Sequence, residues 1–316
     1  MKPNCSIVIR AFNEDKHIGR LLAGINQQTV KNVQVILVDS GSTDTTVEIA
    51  KSMGAEVVSI EPKDFTFGKS LNLGISHAES DLVVIVSAHV YPVYPDWLEN
   101  LLEPLKVSQS ALSYGKQRGA KQTKYSEHQI FAKWYPDQSL LFQEHPFCNN
   151  ANAAIKRELW DQHHYHEGLP GLEDLEWANW AFKAGYNIAY QADAEVIHVH
   201  NETWKNVYNR YRREAMAFKQ IFPHEHFHLI DVVKLWVSNV SNDIQSARKQ
   251  QVFTSELKSI LMFRTMQFWG TYQGYRKTGS LTWQLKQAFY YPGKRLEAEN
   301  QSSKRQVKPI HYHDGD

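Results

Sequence analysis

Asp39 closes an apolar run, Ile36-Leu37-Val38, and opens the turn Ser40-Gly41-Ser42-Thr43-Asp44. A carboxylate placed there lies at the carboxyl end of a buried strand, where open α/β sheets bind their ligands. It can accept hydrogen bonds from a nucleobase or a ribose, with the Ser40 hydroxyl beside it. Ser42, Asp44 and Thr45 suit the cap of the helix that follows. A second apolar run, Ser6 to Arg10, ends in Ala11-Phe12-Asn13-Glu14. In a parallel sheet the two ends lie side by side and frame a nucleotide-sized crevice.

Four further groups carry chemistry. Lys69 and Asn72 are three apart in FTFGKSLNLG, hence on one helix face, and can reach phosphates and a ribose. Gly68-Lys69-Ser70 is not a phosphate loop, because position 63 is lysine rather than the required glycine. Ser87-Ala88-His89 follows a third apolar run, and His198 and His200 end another. A spacing of two puts the latter pair on one face of an extended segment. The three imidazoles could hold a transition metal, whereas Mg prefers oxygen. Glu173-Asp174 opens a helix behind the glycines and proline of 168–171. The helix dipole favours carboxylates there, and a carboxylate so held can take a proton from a hydroxyl. Asn149, Asn150 and Asn152 crowd one loop, PFCNNANAAI, as amides that suit sugar hydroxyls or turns. Arg210 to Arg213 could meet a diphosphate, and the HEHFH tract (224–228) reads as surface chemistry.

The elements that must position these groups alternate. Strands are expected at 5–10, 33–38, 57–60 and 82–86, and helices at 17–28, 45–52, 67–80 and 97–105. Such β-α-β-α-β order implies a parallel sheet with right-handed crossovers. A strand is expected at 113–117, then loop to 148, a helix at 172–184 and a last strand at 189–198. Long helices rich in aromatic and basic residues begin near Trp204, and the tail after Pro292 is polar and reads as loose.

The 316 residues have room for one large or two ordinary domains. Hydrophobic residues are 42% and charged residues 22%, as in a soluble globular chain. A net charge of +1 gives no global field for nucleic acid. Cys5 and Cys148 fit no metal pattern, and so few cysteines suggest a reducing compartment. There is no signal-peptide pattern and no apolar run of spanning length.

SIVIRAFNE, ILVDSGSTDTT, FGKSLNLG, VSAHVYPVYPDWL, the EDLEWA helix and HVH, in this order over about residues 4–215, resemble family 2 glycosyltransferases of the GT-A fold. YGKQ, with Gln117, is similar to the acceptor-side segment of bacterial rhamnosyltransferase-like members. The resemblance implies a Rossmann-like, mostly parallel α/β sheet flanked by helices (1–203), with a helical C-terminal region (204–316). It implies inverting transfer of a sugar from a nucleoside diphosphate (UDP, with dTDP or GDP open) to a hydroxyl of a glycan or lipid-linked acceptor. Asp174 would be the general base and Glu173 would orient it. Asp39, Ser40 and Ala11 to Glu14 would hold the nucleotide, with Lys69, Asn72, Ser87 and Ala88. His89, His198 and His200 would hold a divalent metal (Mn or Mg), and Gln117, Asn149, Asn150 and Asn152 the acceptor.

In one place the sequence departs from the family. Its Asp-x-Asp metal motif is here Ser87-Ala88-His89. That leaves a metal-light mechanism and a non-catalytic nucleotide- or glycan-binding relative as alternatives. A nicotinamide oxidoreductase is disfavoured, since no G-x-G-x-x-G follows the first strand. The segment 257–276, aromatic and flanked by Arg264, Arg276 and Lys277, suits packing onto the catalytic domain or a second subunit, with peripheral membrane contact as an addition. A cytoplasmic protein at the inner face of the plasma membrane is the corresponding expectation.

Overall fold

The computed structural model describes residues 2–276 and 307–312. Strand β1 (Cys5–Ala11) is buried at all but one position. Such a run needs cover on both faces of its sheet. Its residues alternate accordingly. Val8 joins Ile36, Leu71, Ile75, Trp160 and Trp177 on one face, while Ile7 and Ile9 join Ile18, Leu21, Trp97 and Leu101 on the other. Parallel partners β2 (Val33–Asp39) and β4 (Leu82–Ser87) flank β1, and β3 (Glu56–Ser59) lies outside β2. The sheet continues through β7 (Asn152–Lys156), β6 (Ser110–Gly119) and β8 (Asn187–His198) to a short edge strand, β5 (Val90–Pro92). β7 is antiparallel to β4 and β6, and β5 is antiparallel to β8. The result is a mixed eight-stranded sheet, parallel from β3 through β2 and β1 to β4, with the antiparallel pairs in the half beyond β4.

Helices α1 (Asp15–Asn26), α2 (Thr46–Ser52), α3 (Phe67–Ser76) and α4 (Trp97–Leu102) follow the strands as expected, each within four residues of its anticipated bounds. α3 ends at Ser76 rather than residue 80. α4 tightens into a 3-10 turn at Glu103–Lys106, where Pro104 removes a helical donor. Between 119 and 152, where only loop was expected, lies α5 (Tyr125–Trp134). Its buried face contains Ser126 and Glu127 as well as Tyr125 and Phe131, so its apolar pattern is weak. Strand β7 replaces part of the expected asparagine loop, and α6 (Arg157–Gln162) follows it.

After α7 (Glu173–Lys183) and β8 the chain forms α8 (Trp204–Ile221), α9 (Leu229–Lys249) and α10 (Phe253–Tyr275). α8 and α10 approach closely at Gly270, where a Cβ would lie 2.5 Å from the Tyr208 carbonyl, and at Gly274, which faces the Arg212 carbonyl. Arg264 points inward and forks onto Asp243 of α9 at 2.8 and 2.9 Å. Arg264 is therefore spent on packing, the main role expected of its segment, and is not available to the membrane contact expected as an addition, while Lys277 lies outside the described residues. Most of the expected loose tail also lies outside them, but within 307–312 Ile310 and Tyr312 dock on the body of the protein. Ile310 N–H donates to the Val93 carbonyl (2.9 Å) and the Tyr312 ring meets Tyr91 at 5.2 Å, covering the β5 edge. Among the described residues no helix is long and apolar enough to cross a membrane.

Candidate active site

The crevice floor is made by the ends of β1, β2 and β4. Ser40 N–H and Oγ both donate to the Ala11 carbonyl at 3.1 and 3.2 Å. Ser40 is thus a tie between strand ends, not a free ligand hydroxyl. The Asp39 carboxylate accepts from Gly41 N–H (3.0 Å) and Ser42 N–H (3.1 Å), which fixes its rotamer and leaves lone pairs unused. Gly41 has φ +92°, and a Cβ there would lie 2.8 Å from Pro62 Cγ, so glycine is the residue that fits. Asn13, at φ 55°, accepts from Thr43 N–H, and Glu14 N–H donates to Thr46 Oγ1. The two motifs clasp one another, and Phe12 stands out at 55% exposure as an apolar ring at the rim. Ala88 is buried, leaving Ser87 and His89 as the half-buried members of their tripeptide.

On α3, capped by Thr66, Lys69 is half-exposed with Nζ 3.6 Å from Asp64. Asn72 is a correction. Its amide donates to the Tyr165 carbonyl (2.9 Å) and Glu167 (3.0 Å), and its carbonyl accepts from Trp160 Nε1 and Tyr165 N–H (both 3.0 Å). With both atoms used, it clasps the 165–167 loop and has no group left for a ribose.

Glu173 and Asp174 lie in the first turn of α7 and are only 4% and 9% exposed. Leu172 before them takes a left-handed φ of 56°, which turns the chain into the helix. Glu173 pairs with Arg10 at 2.9 Å, and Arg10 also donates to the Phe67 carbonyl. The Phe67 ring lies between Arg10 and Arg213, 5.0 and 4.8 Å from their guanidinium carbons. Asp174 accepts from Asn150 N–H (3.1 Å) and Leu175 N–H (2.8 Å). Burial first, then the neighbouring Glu173 charge, raises its pKa to about 7 against the opposing pull of those N–H groups and Arg10. Glu176, by contrast, points to His163 at 3.2 Å.

Across the sheet the three imidazoles meet. One ring nitrogen from each of His89, His198 and His200 lies within 4.8 Å of the other two, and His198 Nε2 is 3.0 Å from His200 Nε2. The register that pairs Val90 with His198 brings the two chain segments together. Each ring has its Nδ1 2.8 Å from an oxygen: His89 from Glu14, His198 from Gln117 and His200 from Glu127. Burial, with the neighbouring histidines, pushes the His198 pKa well below its ordinary value. Burial alone would raise the Glu127 pKa, but Arg210 and His200 more than offset it and it falls to about 2. This donor set fits a divalent transition metal. Arg210 is held by Glu127 (2.5 Å) and Glu202 (2.6 Å), so it braces this centre and is not free for a diphosphate.

The expected acceptor amides divide. Asn152 is fully buried, accepting from Trp97 Nε1 and donating to the Ala194 and Lys116 carbonyls, so it locks strands together and cannot reach an acceptor. Gln117 is 1% exposed and bridges His198 to Asn149 Oδ1 (3.2 Å), which makes it part of the histidine centre. A register jump between Gly115/Gln191 and Gln117/Val196 aims it there. Asn149 Oδ1 also accepts from Ala151 N–H, while the buried Asn150 side-chain amide sits beside the Tyr165 hydroxyl next to Asp174. Arg10 was not read from sequence as part of these centres, whereas Glu14, expected at the nucleotide, faces His89. Arg10 had a signal, a charge inside an otherwise apolar strand.

Residues 6–163 match the family described as Glycosyl transferase family 2. The O-antigen chain rhamnosyltransferase RfbN of Salmonella typhimurium is 28% identical over 222 residues, covering 65% of this chain and 69% of that protein. WbaN of Salmonella anatum, also an O-antigen chain rhamnosyltransferase, is 29% identical over 228 residues, 66% of this chain and 70% of that one. Among solved structures, the mannosyltransferase PcManGT from Pyrobaculum calidifontis, in complex with GDP-Man and Mn2+, superposes with a TM-score of 0.58 at 18% identity, over 87% of this chain and 85% of that one. TarS of S. aureus in complex with UDP-GlcNAc gives a TM-score of 0.55 at 18% identity, over 88% and 92%. At these identities the structural likeness concerns the fold.

Proposed function

The chain belongs to glycosyltransferase family 2 and is a glycosyltransferase, and from this premise we propose that it is an inverting enzyme moving a sugar from a nucleoside diphosphate to a hydroxyl of a surface polysaccharide or lipid-linked glycan. The observation that carries the reading is Asp174, a buried carboxylate with a pKa raised to about 7, held by two backbone N–H groups beside the Arg10–Glu173 pair. A base with a pKa near the operating pH is ionised often enough to act and basic enough to accept a proton.

Asp174 takes the proton of the acceptor hydroxyl as its oxygen attacks the anomeric carbon. The bond to the donor diphosphate breaks in line, and the diphosphate leaves with the electron pair. Asp39, Phe12 and the backbone of Ala11 to Glu14 hold the nucleotide, and half-exposed Lys69 meets its phosphates. His89, His198 and His200 would hold a divalent cation, which when bound supplies positive charge to the departing diphosphate. Arg10 forms an ion pair with Glu173, whereas Asp174 has no ion-pair partner of its own among the described residues. The likeness to two O-antigen chain rhamnosyltransferases supports a deoxyhexosyl donor. Exposed Leu229, Ile230, Val233 and Val237 on α9 support peripheral contact of the helical region with a membrane carrying the acceptor.

The test is to offer UDP-, dTDP- and GDP-sugars with a glycan acceptor and read the product's anomeric centre by NMR. One donor should be consumed with inversion. Retention of configuration, or no turnover of any donor, would overturn the reading.

A further inference from the structure

Successive residues of α8 project about 100° apart, and Tyr211 to Arg213 meet three different surroundings. Tyr211 is buried against Phe263. Arg213 lies over the Phe67 ring, and a Cβ on Gly171 would stand 3.5 Å from its Nε, so it lines the approach to Asp174. Arg212 instead borders a cavity of about 480 Å³, which it lines with Tyr208, Gln273 and Arg276. Tyr208 and Arg212 are one turn apart on α8, and Gln273 and Arg276 are three apart at the end of α10, hence neighbours on their faces. Gly270 and Gly274 let the two helices meet there, since a Cβ on either would strike the Tyr208 or Arg212 carbonyl.

The two guanidiniums have no counter-charge. Among the described residues, neither Arg212 nor Arg276 makes a side-chain ion pair or hydrogen bond. The carboxylates around α8 are spent elsewhere: Glu127 and Glu202 hold Arg210, and the cations that act on Glu214 are Arg210 and Arg213. Like charges around one cavity repel, and an anion relieves them. Each guanidinium presents a fork of N–H donors matched to phosphate oxygens, while the Tyr208 hydroxyl and the Gln273 amide add neutral donors. A phosphoryl group has oxygens enough for both forks, where a carboxylate has only two.

The cavity continues a ridge of α10. Thr265, Trp269 and Gln273 recur every fourth residue and share one face. Trp269 is 43% exposed, with its ring 5.5 Å from that of Tyr272. Thr265 accepts from Trp236 Nε1 at 3.0 Å, which carries the ridge onto α9, where exposed Val233 and Val237 flank Trp236 in the chain. Aliphatic, tryptophan and arginine side chains in such company suit the headgroup level of a bilayer.

We propose that Arg212 and Arg276, with Tyr208 and Gln273, form a binding site for a phosphoryl group, separate from the donor crevice. An anionic lipid headgroup and free phosphate share that chemistry. The lipid source rests on the membrane contact proposed above, and the phosphate site itself does not.

The experiment uses the full chain without donor. Phosphorus NMR line broadening reads binding of inorganic phosphate, and co-sedimentation reads binding to phosphatidylcholine vesicles with or without phosphatidylglycerol. Arg212→Gln combined with Arg276→Gln should weaken binding of the probe that is recognised by about 10- to 30-fold, and the paired lysine substitutions should recover only part of it, keeping the charge but losing the fork. Arg212 is half-buried and Arg276 exposed, so melting temperatures should match the parent's. Val233→Asp combined with Val237→Asp should weaken vesicle binding alone. Arginine-dependent binding of the anionic vesicles identifies a headgroup, and arginine-dependent broadening of phosphate without vesicle binding identifies a soluble phosphate; either upholds the site. No binding of either probe, binding of both unchanged by the glutamine pair, or full recovery with lysine, which would mean diffuse surface charge, overturns it. Anionic vesicles held through Val233 and Val237 but indifferent to the arginines would sink this site and leave the membrane contact standing.

Discussion

Replacing Asp174 by asparagine should destroy transfer and, at alkaline pH, stabilise the protein. The carboxylate goes from a pKa of 3.8 in the unfolded chain to about 7 in the fold, so the native state holds a proton that the unfolded state has released. A group raised in this way costs stability as pH climbs from its unfolded value through its folded one. At about 1.4 kcal/mol per tenfold in proton affinity, the full cost above both values has a ceiling of about 4 kcal/mol, of which roughly 2–3 falls between pH 5 and pH 8. Asparagine relieves the charge, but its NH2 must confront either Asn150 N–H or Leu175 N–H. Losing that bond costs about 1–3 kcal/mol. The variant should therefore lie within about 1–2 kcal/mol of the parent at pH 5 and be more stable than it, by about 1–3 kcal/mol, at pH 8. Urea denaturation of both proteins at the two pH values gives the difference directly. Transfer should fall by about 100- to 10,000-fold, the usual worth of a general base, with nucleotide affinity retained. The parent's kcat/KM should rise with pH through an apparent pKa near 7. A stability difference independent of pH, or a fully active variant, would refute the assignment of Asp174 as a buried, titrating base.

Two further substitutions examine its surroundings. Arg10→Met leaves Glu173 buried without its partner, which should cost about 3–5 kcal/mol in chemical denaturation. Because Arg10 holds the Asp174 pKa down, the midpoint of the pH–rate profile should also move alkaline, and a fixed midpoint would remove Arg10 from the control of the base. Asn72→Ala strips the partners of Trp160 Nε1 and Tyr165 N–H and should destabilise by about 2–3 kcal/mol with donor affinity unchanged. A weaker donor Kd at unaltered stability, measured by calorimetry and denaturation, would return Asn72 to the nucleotide site.

Much of the architecture was written in the sequence because buried strands and amphipathic helices leave a periodic trace. Ile36 to Asp39 and Ser6 to Ala11 read as neighbouring strand ends, and they are neighbours in register. The spacing of His198 and His200, with His89 after its own strand, was enough to suggest one centre, and the three do converge. Periodicity fails where a buried face is polar. Helix α5 was missed because it turns Ser126 and Glu127 inward, and β7 because Asn152 heads a short run of small residues. The amides show the limit most plainly. Asn72, Asn149, Asn150, Asn152 and Gln117 have similar capacities to donate and accept, and nothing local says which will be consumed. Contacts between residues 93 positions apart spend Asn72 on the Tyr165 loop, and the Gln117–His198 contact spans 81. The sequence determined that carboxylates, imidazoles and amides stand at strand ends. Only the tertiary structure decided which of them are satisfied by the protein itself and which keep an open valence for a ligand, because a buried polar group must find its partner wherever the fold brings one.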